Sequence, residues 1–125
     1  MLPPVRWAVE RTEIVAAWWR GLDAGQQEAL TAALLLIQER GPALGRPLVD
    51  TLIGSRLPNL KELRVSAEGR RLRVLFAFDP RRVAVLLVGG DKTGAWRSWY
   101  QAAIPEAEAL YAAHLADLKR KEQRP

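Results

Sequence analysis

Three apolar runs, Leu60 to Val65, Leu72 to Asp79 and Arg82 to Gly90, follow one another at hairpin spacing and constrain this chain more than any other feature. Ser66-Ala67-Glu68-Gly69 separates the first pair, and Asp79-Pro80-Arg81, suited to a type I turn, separates the second. The pattern predicts an antiparallel meander. Side chains alternate across a strand, so Leu72, Val74, Phe76 and Phe78 share one face and Arg73 projects from the other with Leu75 and Ala77. Leu63 and Val65 likewise put Arg64 and Glu62 opposite them. Arg64 and Arg73 are therefore expected on one face of neighbouring strands, either converging on a ligand or simply solvated or paired with Glu62 and Asp79.

Upstream, Val5, Trp7 and Val9 alternate with Arg6, Ala8 and Glu10 as in a half-buried strand, and Thr12 offers an N-cap oxygen to a short helix carrying Ile14, Val15, Trp18, Trp19 and Leu22. After Gly21, a second helix begins near Asp23 to Gln26 and runs to Gly41-Pro42, where Gly supplies the cap and Pro prevents continuation. Pro42 to Asn59, with Pro47, Pro58, Gly45 and Gly54, reads as a long ordered loop. A last helix is expected from Ile104 to Lys121, with Pro105 at its first position, Glu106 and Glu108 in its first turn, and a basic tail from about residue 119. Strands grouped after helices predict one α+β domain over residues 1–125: a mainly antiparallel sheet, two N-terminal helices on one face and a C-terminal helix. The opposite face is expected to be open for a ligand.

Composition narrows the chemistry. Cys is absent and His occurs once, as His114, which excludes disulfides, thiolate zinc sites, Cys nucleophiles and multi-histidine metal centres. The expectation is no metal and no cofactor. Nineteen Lys and Arg against 14 Asp and Glu give +5 and a pI near 10.2, favouring a polyanionic partner, either nucleic acid or an acidic protein segment. Apolar runs such as Ala32 to Ile37 fall far short of the ~20 residues of a membrane span, and Met1-Leu2-Pro3-Pro4 lacks a signal layout, so a cytoplasmic protein without membrane partners is expected.

Gly89-Gly90-Asp91-Lys92-Thr93-Gly94 brings a flexible backbone and a lysine to a sheet end, and Trp96-Arg97-Ser98-Trp99-Tyr100 follows at once. Lys and Arg meet phosphates while Trp and Tyr stack on unpaired bases, a combination suited to single-stranded RNA. The spacing does not make a phosphate-cradling Walker loop. Trp96 and Trp99 also fit packing under the last helix, Trp18 and Trp19 fit the core, and His114 fits a helical packing stripe with Ala107, Leu110, Tyr111, Leu115 and Leu118.

Gly45-Arg46-Pro47-Leu48-Val49-Asp50, Leu60-Lys61-Glu62-Leu63-Arg64-Val65, Arg73-Val74-Leu75-Phe76-Ala77-Phe78-Asp79-Pro80 and Gly89-Gly90-Asp91-Lys92-Thr93, in that order, resemble the RelE/ParE superfamily of type II toxins, in its HigB-like branch. The resemblance runs from Val5 to about Leu118. It implies a toxin that enters the ribosomal acceptor site and cuts messenger RNA, restrained in a hetero-oligomeric complex by a HigA-like helix-turn-helix antitoxin. In that family chemistry the RNA's own 2′-hydroxyl attacks the adjacent phosphate, so no metal, cofactor or protein nucleophile is required.

Carried over residue by residue, Arg73 matches the strand arginine that contacts the scissile phosphate, and Arg64 the basic position one strand earlier. Lys92 and Arg97 correspond to the basic residues after the last strand, and Tyr100 to an aromatic residue that stacks on a base or moves a proton. The catalytic set is then Arg73, Lys92, Arg97 and Tyr100, with Arg64, Lys61, Trp96 and Trp99 binding RNA. As a base, Tyr100 would need Lys92 and Arg97 to favour its ionised form against a reference pKa of ~10. Glu62 departs from the RelE pattern, standing where a basic residue is common, with Lys61 shifted by one and so onto the other strand face. Asp91 is left either as a catalytic group or as a support for Lys92. Two other classes remain: a ParE-like inhibitor of DNA gyrase, and a non-catalytic module that binds only its antitoxin.

Overall fold

The computed structural model describes residues 6–123, so Val5 and the last residues of the basic tail lie outside the described residues. Five strands form one sheet: β1 (Ala8–Arg11), β2 (Val49–Thr51), β3 (Lys61–Ala67), β4 (Arg70–Phe78) and β5 (Val83–Asp91), in spatial order β1-β5-β4-β3-β2. β1 runs parallel to β5, and every other pairing is antiparallel. The meander forms as its alternation predicts. Glu68 (φ 53°) and Gly69 (φ 73°) make the two-residue turn between β3 and β4, where two successive positive φ values match the sheet twist.

The helices α1 (Glu13–Arg20) and α2 (Ala24–Arg40) start where their caps stand. Thr12 accepts from the Val15 amide, and Asp23 forms a reciprocal capping box with Gln26. Gly41 ends α2 at φ 57° and leads into a 3-10 turn, Gly41–Ala43. Val15, Leu30, Ala33 and Ile37 bury the face of the sheet that carries Leu63, Val65, Leu72, Val74 and Phe76. A fully buried aliphatic or aromatic side chain of this kind contributes about 1.5–3 kcal/mol.

Three expectations are corrected. β2 lies inside the segment expected to be loop: it is three residues long, too short for a visible alternation, and gains its order by pairing with β3. The last helix, α3 (Trp96–Glu122), starts at Trp96 and not at Ile104, so Pro105 sits inside it and not at its first position. Pro105 removes the amide that would bond the Gln101 carbonyl, but both residues are exposed and solvent replaces that bond. Finally, the second sheet face is mostly covered. Ala103, Ala107 and Tyr111 of α3 pack on Leu60, Leu75, Ala77, Val83, Val85 and Leu87, a second core. Alanines at the contact let the helix lie close to the sheet. What stays uncovered is the end of that face nearest the start of α3.

A bulge in β5 shapes that end. Leu75 pairs with Val88 and Phe76 with Leu86, leaving Leu87 unopposed. Thr12 secures the irregularity, its amide donating to the Leu86 carbonyl (3.0 Å) and its hydroxyl to the Leu87 carbonyl (2.8 Å). Beyond the bulge, Gly89 pairs with Val74 and Gly90 with Arg73. Both glycines close the third apolar run and also open the segment read as a flexible loop; they are strand residues, and the space a Cβ would occupy is filled by Trp18 at Gly89 and by Trp99 at Gly90.

Among the described residues, no helix is long and apolar enough to cross a membrane.

Candidate functional site

Arg64 and Arg73 are directly opposed in the β3–β4 register, on the face away from α1 and α2, as alternation predicts. Like charges so placed repel. Glu62 offsets the repulsion: its Oε1 lies 3.5 Å from Arg73 Nε and 3.7 Å from Arg64 Nε. Arg73 is buried at 5% exposure, and its Nη1 donates to the Leu72 carbonyl at 2.9 Å. Both Nε atoms are buried without a hydrogen-bond acceptor among the described residues. Asp50 also holds Arg64 at 4.0 Å while accepting from Arg46 at 3.0 Å.

Lys92 extends the β4–β5 pairing by one more bond, its amide donating to the Arg71 carbonyl at 2.9 Å. Burial first, then the charge of Arg73, lowers the Lys92 pKa. Its ammonium lies 6.0 Å from the ring centroid of Tyr100. Tyr100 reaches the centre from the first turns of α3. Burial and then Glu62 push its pKa up to about 12, and Arg73 opposes them without prevailing. The condition under which Tyr100 would act as a base is not favoured here: burial and Glu62 outweigh Arg73, and the phenol is held in its protonated form.

Of these groups, Glu62, Arg64 and Tyr100 line a groove of about 370 Å³, together with Asp50, Thr51, Leu52, Ile53 and Trp96, whereas Arg73 and Lys92 are not among its lining residues. Trp96 is half exposed on its rim, whereas Trp99 packs on the second core with its ring 4.9 Å from that of Tyr100. Arg97 turns outward, its guanidinium 5.3 Å from the Trp96 ring centroid. Lys61 shares the parity of Leu63 and Val65 and so belongs to the α2 side of the sheet, away from Arg64 and Arg73. Asp91 accepts from the Thr93 amide (2.8 Å) and lies 3.4 Å from Arg70, so it shapes the loop carrying Lys92.

Two features were not visible in the sequence. Glu62 looked like a departure and is the central carboxylate. His114 looked like a packing residue, yet its Nε2 lies 2.8 Å from Oδ2 of the buried Asp79, which also holds Arg81 at 2.7 Å. The partner of Asp79 is therefore not Arg73. This second cluster ties β1, through Glu10, to the β4–β5 turn and α3.

Residues 17–112 match the family described as phage derived protein Gp49-like (DUF891). The chain is 47% identical over 116 residues to a Mycobacterium tuberculosis protein named "Putative toxin HigB2", covering 92% of this chain and 57% of that protein, so it spans little more than half of that relative. It is 46% identical over 94 residues to a second protein of that organism, named "Putative toxin HigB3", covering 75% of this chain and 81% of that protein. No solved structure matches the chain. A family match over most of the chain, with two such relatives, establishes that this protein belongs to the Gp49-like (DUF891) family.

Proposed function

We propose that this chain is the toxin of a toxin–antitoxin pair, a RelE/ParE-superfamily endoribonuclease that cuts messenger RNA on the ribosome and is restrained by a HigA-like helix-turn-helix antitoxin. The observation that carries the chemistry is the pair of buried guanidinium Nε atoms without acceptors, flanking a single carboxylate oxygen. Arg64, Arg73 and Lys92 outnumber Glu62, so the centre attracts an anion, and fixed guanidinium donors stabilise a phosphorane as its charge develops.

In this reading the substrate's 2′-hydroxyl gives its proton to Glu62 and its oxygen attacks the adjacent phosphorus. The bond from phosphorus to the 5′ oxygen breaks as Lys92 delivers a proton to that oxygen. The products are a 2′,3′-cyclic phosphate and a 5′-hydroxyl end. The lowered pKa of Lys92 makes it the better acid, while Tyr100, protonated to about pH 12, orients Glu62 and stacks beside the reacting nucleotide. Arg97 meets a flanking phosphate at the rim. The names of the two relatives support the toxin assignment, and the groove supports the ribonuclease chemistry.

Inducible expression in a bacterial host, with primer extension on a translated messenger, tests this. Wild type is expected to give discrete translation-dependent cuts, and Arg73→Ala to reduce them at least ~100-fold, the usual effect of removing a transition-state donor. Circular dichroism verifies that the variant is folded. Growth arrest with intact messenger overturns the reading and transfers it to gyrase inhibition.

A further inference from the structure

The most exposed large apolar side chain among the described residues is Ile53, at 85%, and Trp96 is exposed at 48%. Neither serves a core. Both line the same groove, Ile53 from the segment after β2 and Trp96 from the start of α3, and that groove contains Glu62 and Arg64. The Ile53 segment is fastened from behind. The Glu108 carboxylate on α3 accepts from the Ser55 hydroxyl at 2.9 Å and from the Arg56 amide at 2.6 Å. Gly54, at φ 93°, turns the backbone between Ile53 and that latch.

We propose that Ile53 and Trp96 form a slot for one unpaired nucleobase, and that Glu108 is a positioning residue that holds the Ile53 wall at the width of that slot. The inference rests on the ribonuclease reading of the adjoining charged centre and adds the determinant of which nucleotide it accepts. Apolar walls beside the Arg64 guanidinium match a nucleotide, which carries a flat π face and a phosphate. A volume of about 370 Å³ lies at the lower end of small-ligand sites, ~300–1,000 Å³, in keeping with a single nucleotide.

The test uses the full chain and a dye-labelled, 2′-deoxy single-stranded pentanucleotide, which the proposed chemistry cannot cut, read by fluorescence anisotropy. Removing one base to leave an abasic position is expected to weaken binding about tenfold, the usual value of one stack. Trp96→Ala is expected to lose the same factor and Trp96→Phe to recover most of it, while Ile53→Asn loses a smaller part. Trp96→Ala should then no longer distinguish the intact from the abasic oligonucleotide, Ile53→Asn should distinguish them less than wild type does, and Trp96→Phe should distinguish them nearly as wild type does. Glu108→Gln is expected to weaken discrimination among the four bases, and to raise KM more than it lowers kcat on ribosome-bound message. Equal affinity for intact and abasic strands, or unchanged discrimination in Ile53→Asn and Trp96→Ala, overturns the slot. If base-dependent binding persists while wild type cuts no messenger, the slot survives and the ribonuclease reading falls. If cuts occur and base dependence is absent, the reverse holds.

Discussion

Asp79→Asn is expected to be among the costliest substitutions away from the groove. The Asp79 side chain is 0% exposed. Its Oδ1 accepts from the amides of Arg81 (2.8 Å) and Val83 (3.2 Å), and its Oδ2 faces Arg81 Nη2 (2.7 Å), Arg81 Nε (3.0 Å) and His114 Nε2 (2.8 Å). An asparagine can keep the Oδ1 bonds but turns an amide donor toward Arg81 and His114. Breaking a buried ion pair by removing one partner costs ~3–5 kcal/mol. Arg81 is 41% exposed and retains Glu10, which places the loss at the lower end, about 3 kcal/mol.

Equilibrium urea unfolding measures this. With a slope of ~1–3 kcal/mol per molar, the midpoint should fall by roughly 1–3 M at unchanged slope. The pH dependence gives an independent check. Burial works to raise the Asp79 pKa, but hydrogen bonds from His114 and then Arg81 outweigh it and leave the value below the ordinary range. A carboxylate depressed in the folded state stabilises above its unfolded pKa, and that stability disappears as pH falls through the lower folded value. Wild type should therefore lose this share below about pH 4, and Asp79→Asn should show a flatter acid limb, with Glu10 and the other carboxylates still contributing. A midpoint shift below ~0.3 M, or an acid limb identical to wild type, would refute the role assigned to Asp79.

Two further outcomes follow from the groove. The charge of Lys92 is disfavoured by burial and by Arg73, so Lys92→Met should raise stability near neutral pH by about 0.5 kcal/mol in urea unfolding while abolishing messenger cleavage. Loss of stability in that variant would mean that Lys92 is held by Glu62 more than it is repelled. Gly90→Ala places a methyl where the Trp99 indole lies and should cost about 1–3 kcal/mol, with a changed near-ultraviolet circular dichroism signal as the indole shifts. An unchanged aromatic spectrum would show that Trp99 does not rest on Gly90.

Alternation put Glu62, Arg64 and Arg73 on one face, because a period of two is a local property and the apolar residues of both strands must face the same core, which excludes odd register slips. Thr12, Asp23 and Gly41 were legible for the same reason: capping depends on neighbours within a turn. The start of α3 was not. Pro105 resembles a first-turn proline, and only packing of Trp99, Tyr100 and Ala103 on the sheet shows that the helix had already begun. The β5 bulge leaves no local mark either. It is fixed from Thr12, 75 residues away, and it decides that Gly90 rather than Gly89 stands beside Arg73. Asp79 and His114 are 35 residues apart and meet only because α3 crosses the β4–β5 turn.

The two charged clusters on this side of the sheet differ in one respect that bears on function. Around Asp79 every strong donor has an acceptor, and the carboxylate lowers its pKa by binding His114 and Arg81; such a cluster fastens elements together. Around Glu62 the balance is left open: one carboxylate faces two guanidinium groups at 3.5 and 3.7 Å, beyond good hydrogen-bonding distance, with a partly buried ammonium nearby. A fold selected for stability alone would close that gap, since unsatisfied buried donors cost ~1–3 kcal/mol each. On the ribonuclease reading proposed above, the negative charge this centre lacks is brought by the substrate phosphate.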